Sequence, residues 1–271
     1  LTSRNKSSCI TKRRLNRQKV RQMEKKSKDP AYLMATFSSA AYREPDGASR
    51  VFEKYGYPNH RFIEKDGAQC YVVWNDAHAV VVFRGTEPTS FGDILADIKA
   101  WPADSETQGN VHAGFKGEVD KLWPSITKWI KNKNQKDKFI VTGHSLGAAM
   151  ATIVTSRLVE EGFSNVVLYT YGSPRVGDRE WGKQFDNIEA YRFVNNNDIV
   201  CQVPPFGYYS HVGDLHYMTY DMKIKTNMTW FQRFLDKGKG KLKAWSKFQL
   251  FDGLYDHLGS KYIKRIVGRV N

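Results

Sequence analysis

Short apolar runs bounded by polar turns alternate along this chain with longer stretches of helical spacing. Asp29-Pro30 predicts a helix start, with Asp as N-cap and Pro at the first helical position. Tyr32, Met34, Ala35, Phe37 and Ala41 carry that helix to about Tyr42. Three strands are predicted next, Arg61–Lys65, Gln69–Trp74 and Ala79–Arg84. The turns Asp66-Gly67 and Asn75-Asp76 between them suit hairpins. Further helices are predicted over about 90–99, 114–132, 145–161 and 177–185, interleaved with strands over 138–142, 165–171 and 189–195. This alternation predicts an α/β fold whose central, mostly parallel mixed sheet carries helices on both faces. Past Tyr217 the pattern loosens. An aromatic and basic stretch, Trp230 to Phe251, leads to a last element near 254–267.

One junction in this pattern carries chemistry. The apolar run Lys138 to Thr142 meets the helical stretch Ala148 to Val154 through Gly143-His144-Ser145-Leu146-Gly147. A strand reversing into a helix within two residues strains its central residue and pushes that side chain out at the end of the sheet. Gly143 and Gly147 let strand and helix approach closely enough for the turn. Ser145 is thereby predicted as a nucleophile beside the positive end of a helix.

A serine hydroxyl needs a histidine to take its proton and an acid to orient that histidine. In the α/β-hydrolase arrangement the chain order is Ser, then Asp or Glu, then His, which sets aside His60, His78 and His112. His144 adjoins the nucleophile, so its ring points away from the hydroxyl. The acid belongs in a loop after a strand, and Asn195-Asn196-Asn197-Asp198 follows the strand-like Ala190 to Val194. Asp198 is therefore preferred over Asp178 and Asp186, which flank a predicted helix, and over Asp214 in a strand-like run. His211, His216 and His257 remain as bases. His216 alternates with Leu215 and Tyr217 and reads as a structural strand residue, while His211 and His257 both lie on turns.

Composition narrows the class further. The 271 residues, 41% of them apolar, suffice for one large domain with a sizeable core. No 18-residue apolar run is present to span a membrane. The net charge is +14, but residues 1–28 hold eleven Lys/Arg against the single acid Glu24, so most of the excess belongs to this segment. It is expected to be a disordered or loosely helical tail, with residues 29–271 as the folded domain. The tail reads either as a solvated linker or as a segment drawn to anionic lipid or nucleic acid. For the domain itself, nucleic acid is not expected. Cys9, Cys70 and Cys201 form no disulfide framework, and Cys70 and Cys201 are expected as buried thiols. With no signal-peptide pattern at the start, an intracellular location peripheral to membranes is favoured, although the chain begins at Leu1 rather than Met.

Six separate segments resemble the class 3 lipase family, which includes the fungal triacylglycerol lipases. They are Val81 to Thr86, Val111 to Phe115, Gly143 to Gly147, Tyr171 to Gly177, Asn195 to Asp198 with Val200 and Pro204, and Asp256-His257-Leu258 with Tyr262. The resemblance implies an α/β-hydrolase fold and a triad of Ser145, Asp198 and His257, leaving His211 as runner-up. It implies an oxyanion hole from the backbone N–H of Leu146 and from Thr86. It also implies a helical lid over about 87–101, where Phe91, Ile94, Leu95, Ile98 and Trp101 recur on one stripe. The implied activity is cleavage of acylglycerol esters at a lipid–water interface, through an acyl-enzyme and without metal or cofactor. Two alternatives stand beside it: a phospholipase acting on anionic membrane phospholipids, and a catalytically inactive lipid- or nucleic-acid-binding module.

The lysines of Lys237 to Lys243, set among Trp230, Phe231, Phe234, Leu235, Leu242 and Trp245, lack the spacing of a phosphate loop. They read either as an interfacial segment or as an ordinary packing helix with a solvated lysine-rich turn. The expected partners are a lipid ester and a membrane or lipid-droplet surface; no oligomeric state is implied.

Overall fold

Strands rich in Val and Phe with both alternating sets apolar can form only where helices cover both faces of a sheet. That is the arrangement found in the structure, a computed structural model describing residues 28–85, 101–205, 207–226, 228–245, 257 and 259–267. Helices α1 (Pro30–Ala40) and α2 (Pro45–Lys54) precede the antiparallel strands β1 (Asn59–Lys65), β2 (Ala68–Trp74) and β3 (Ala79–Phe83). A small hairpin, β4 (Pro102–Asp104) and β5 (Asn110–His112), leads into α3 (Ala113–Ile130). Then come β6 (Phe139–His144), α4 (Leu146–Glu160), β7 (Val166–Tyr171), the short α5 (Arg179–Gly182) and β8 (Glu189–Asn195). The chain continues through β9 (Asp214–Met218), β10 (Ile224–Lys225), α6 (Trp230–Trp245) and α7 (Gly259–Val267).

The eight-stranded sheet has the order β1-β2-β3-β6-β7-β8-β9-β10 and is parallel from β3 to β9. Period-2 alternation divides its core in two. Val72, Val81, Phe139, Val141 and Leu168 face α3 and α4, while Val73, Val80, Ile140, Val167 and Tyr169 face α1, α2 and α7. α4 is buried from Gly147 to Leu158, which is why its sequence is small and apolar with no polar stripe. Its one buried cation, Arg157, is held by Glu106 and Asp120.

The α/β prediction holds, with local differences, among them the unexpected hairpin β4–β5 and edge strand β10. α2 was not expected, since only Ala48 and Phe52 are buried in a run containing Pro45 and Gly47. The helix expected over 177–185 is one turn, Arg179–Gly182, capped by Asp178, followed by a tighter 3-10 turn at Lys183–Asn187. The stretch from Trp230 is helical as far as Trp245. Cys70 and Cys201 are buried thiols. Of the expected tail over 1–28 only Lys28 is described, and Cys9, Thr86, the stripe residues Phe91, Ile94, Leu95 and Ile98, and residues 246–256 lie outside the described residues. Among the described residues no helix is long and apolar enough to cross a membrane.

Candidate active site

The turn from β6 into α4 is tight because three glycines pack against backbone. A Cβ on Gly143 would lie 2.2 Å from the Gly147 carbonyl oxygen, and one on Gly147 would lie 2.5 Å from that of Phe83. Between them Ser145 takes φ 61° and ψ −128°, a conformation that costs a non-glycine residue about 1–3 kcal/mol. Its N–H donates to the Tyr171 carbonyl at 3.0 Å, which ties the elbow to the end of β7. The Ser145 hydroxyl is buried and makes no hydrogen bond among the described residues. Leu146 heads α4, where its N–H has no intrahelical acceptor. Gly85, at the end of β3, lies against the same turn: a Cβ there would sit 2.6 Å from the His144 carbonyl.

Asp198 closes the turn after β8, its N–H donating to the Asn195 carbonyl at 2.8 Å. Its carboxylate accepts from His257 Nδ1, 3.0 Å from both oxygens, from the Val200 N–H at 2.9 Å, and from the Tyr262 hydroxyl. Burial alone would raise the Asp198 pKa. The His257 ring and its hydrogen bond, with the Tyr262 hydroxyl, outweigh this and hold the carboxyl below the usual range. Tyr262 also accepts the Asn195 N–H at 3.1 Å, so one side chain of α7 clamps both ends of the aspartate turn. The floor beneath this pair is Gly172, whose φ of 62° and close quarters exclude a side chain. A Cβ there would sit 2.9 Å from Asp198 Oδ2 and 3.0 Å from His257 Nδ1.

His144 is placed as expected, with its ring away from the serine hydroxyl. It stacks on His257 at 4.6 Å, with its Nε2 2.6 Å from the His257 carbonyl and its Nδ1 3.0 Å from the Tyr42 hydroxyl. Burial, reinforced by the neighbouring His257, pushes its pKa down to about 3. The neutral ring therefore donates Nε2–H to His257 and accepts from Tyr42. It fixes the backbone of His257 while contributing no charge.

Four further histidines have other partners. His211 Nε2 lies 2.9 Å from the Cys201 carbonyl, and His216 stacks on Phe193 at 4.8 Å. His112 caps α3 through its Nδ1, and His78 meets the Tyr57 hydroxyl. Asp178 is the N-cap of α5, as its position predicted. The structure thus brings Asp198 and His257 together at the sheet end that carries Ser145 and Leu146. Sequence reasoning did not assign roles to Tyr262, His144 or Gly172. All three lie in segments that carry the family resemblance, Tyr262 with Asp256 to Leu258, His144 in Gly143 to Gly147 and Gly172 in Tyr171 to Gly177, but the segments gave them no role.

Residues 80–208 match the family Lipase (class 3). Toxin TseL of Vibrio cholerae is 32% identical over 186 residues, covering 53% of this chain and 29% of the relative. Secreted mono- and diacylglycerol lipase 1 of Fusarium solani is 41% identical over 155 residues, covering 54% of this chain and 44% of the relative. The chain therefore spans less than half the length of these curated relatives. Among solved structures, the triacylglyceride lipase of Rhizomucor miehei superposes with a TM-score of 0.62 at 23% identity, over 84% of this chain and 91% of that one. That likeness bears on the fold, which is that of an α/β-hydrolase.

Proposed function

Because the chain belongs to the class 3 lipase family, we propose that it is a serine carboxylester hydrolase acting on acylglycerols. The observation that carries this reading is the buried His257–Asp198 hydrogen bond at the sheet end that bears the strained Ser145 elbow. In the proposed cycle Ser145 Oγ attacks the ester carbonyl while His257 takes its proton and delivers it to the departing alcohol. Asp198 fixes His257 in the tautomer that carries its proton on Nδ1 and stabilises the imidazolium that forms. The Leu146 N–H and Thr86 supply the oxyanion donors, each worth a few kcal/mol, or roughly 100- to 1,000-fold in rate. Water then repeats the sequence on the acyl-enzyme. No step requires a metal or cofactor.

The substrate class rests on the family and on access. Ser145 is 1% exposed, so an ester reaches it only after something moves. The segment over about 87–101 is the proposed lid. Trp101, the last position of its apolar stripe, is 68% exposed, as expected of a residue that meets lipid. The chain is accordingly proposed to work as a peripheral enzyme at lipid surfaces, with the basic segment 1–28 as an accessory that adds attraction to anionic ones.

A fluorophosphonate probe should label the protein at Ser145, and Ser145→Ala should abolish both labelling and hydrolysis of acylglycerol emulsions. A Ser145→Ala protein that still hydrolyses ester would sink the assignment, and an unlabelled native protein would favour the inactive lipid-binding module. A second reading, phospholipid acyl hydrolysis, is motivated by Phe231, Phe234 and Leu235, which stand exposed on α6 beside Lys237 and Lys239. Rates on triacylglycerol emulsions and on anionic phospholipid vesicles separate the two.

A further inference from the structure

Away from the serine, a cavity of about 1360 Å³ opens between β8, β9, the loop before β9 and α6. Arg175, Arg192, Arg233, Lys237 and Lys239 line it, and none of its lining residues is Asp or Glu. The cations come from three distant parts of the sequence, so no single solvated charge run accounts for them. Arg233 and Lys237 are four apart on α6 and thus share one helical face. Arg192 and Val194 alternate with Phe193 and Asn195 on β8, so they open on the sheet face opposite Phe193, while the wall residues Tyr217 and Cys201 reach the aspartate turn and Tyr262.

Arg175 donates to the Gln202 and Pro204 carbonyls, but two other buried donors here are unsatisfied. The Nε atoms of Arg192 and Arg233 are inaccessible to solvent and have no hydrogen-bond partner among the described residues. Among the described residues no carboxylate forms an ion pair with Arg175, Arg192 or Arg233. Burial lowers the Arg192 pKa to about 10, and the positive charges of Arg233 and Arg175 add to the effect. His211, with Nε2 on the Cys201 carbonyl, is held neutral by burial and by Arg192 and does not relieve the repulsion. The nearby buried carboxylate, Asp236, lies behind the wall residue Tyr217 and is engaged with Asn196 and the Tyr220 N–H, so it forms no ion pair with the three arginines, and the excess positive charge favours a bound anion.

We propose that this cavity is a second, non-catalytic site that binds a phosphate group, as a free phosphate ester or as the headgroup of a phospholipid. Guanidinium forks match phosphate oxygens in pairs, and several convergent cations suit a dianion better than a single carboxylate. The walls beside them include Phe234 and Leu235, and Phe231 stands exposed on the same helix. A phosphate borne on a lipid could therefore be held while those side chains enter the acyl region. The site is independent of the hydrolytic reading, since Ser145, Asp198 and His257 do not line it.

The test uses the full chain and its Arg233→Gln and Arg192→Gln variants. Inorganic phosphate and glycerol 3-phosphate are titrated by calorimetry and thermal shift at constant ionic strength. In parallel, phosphatidylcholine vesicles doped with phosphatidic acid are compared with vesicles carrying equal surface charge as phosphatidylserine. Phosphate binding that falls at least tenfold in Arg233→Gln supports the site. A preference for phosphatidic acid vesicles, lost in the same variant, identifies the lipid as the source, whereas saturation by the soluble esters without that preference identifies a free ester. If neither phosphate nor phosphatidic acid binds, or if Arg233→Gln binds as well as the native chain, the proposal fails. Arg233 is on a surface helix, so this variant is expected to fold and to retain hydrolysis of a soluble short-chain ester. Loss of that hydrolysis in a folded Arg233→Gln protein would make the cavity part of the active site and overturn its separateness.

Discussion

Tyr262→Phe removes one oxygen from the centre of the candidate site and leaves the packing around it unchanged. That oxygen does two things: it donates to Asp198 and it accepts the Asn195 N–H at 3.1 Å. Asp198 keeps His257 and the Val200 N–H, so the carboxylate loses one of three donors. A hydrogen bond to a charged group contributes about 1.5–3 kcal/mol, and an orphaned buried N–H costs about 1–3 kcal/mol. The two losses share one turn and are not additive, so a combined cost of about 3 kcal/mol is expected. For a domain of this size that corresponds to a fall in Tm of roughly 6–12 °C. A displaced Asp198 no longer fixes the His257 ring, so kcat on a soluble short-chain ester should fall roughly tenfold, a loss of about 1.4 kcal/mol of transition-state stabilisation. The acid limb gives a separate signature. The native Asp198 pKa is depressed, so its stabilisation is complete above the unfolded value of about 3.9 and is lost as pH falls through the folded value. Without the tyrosine donor the depression shrinks, and stability should decline less steeply below about pH 4. Urea unfolding from pH 7 to pH 3, with ester hydrolysis at pH 7, measures all three. A variant with native midpoint, native rate and native pH dependence would refute the clamp.

Further tests address other parts of the site. Asp198→Asn should fold yet lose on the order of 10,000-fold in kcat, because the amide favours the wrong His257 tautomer; a loss below tenfold would show that Asp198 is not the orienting acid. His144 stays neutral to about pH 3, whereas the unfolded chain takes up its proton near 6.5, so acidification favours unfolding. Between pH 6.5 and pH 5 this one group should remove on the order of 1.5 kcal/mol of stability, and His144→Gln should be flatter by that amount in urea titrations. Gly172→Ala would force a methyl against Asp198 and His257, and kcat should drop at least 100-fold while far-UV circular dichroism stays native. Arg157→Leu should cost less than about 2 kcal/mol by urea unfolding, because Glu106 and Asp120 keep Lys116 and are both partly exposed.

The parts legible in the sequence are those whose signal is local. Continuous apolar runs marked β2, β3, β6 and β7, and the Gly-x-Ser-x-Gly junction sits in one short window of chain. Asp198 followed from its position in a loop after a strand. The choice among three histidines did not follow from the residues themselves; it came from the resemblance at Asp256-His257-Leu258. Contacts made across the chain left less trace. His257 lies 59 residues from Asp198 and Tyr262 lies 64, so no periodicity links them. α2 was missed because two buried residues among Pro, Gly and charges make too thin a stripe. Arg175 and Arg192 are separated in sequence by α5, and Arg192 and Arg233 by β9 and β10, so only the fold brings these cations together.

The position of α7 has a consequence for the order in which the domain assembles. Tyr262 and Ile266 pack into the cluster that contains Phe37 of α1, so two helices far apart in sequence must dock before the clamp on Asp198 exists. A partly folded chain that holds the serine elbow alone has neither the proposed base nor that clamp in place. Competence of the proposed site is thereby tied to the meeting of α1 and α7 rather than to the elbow itself.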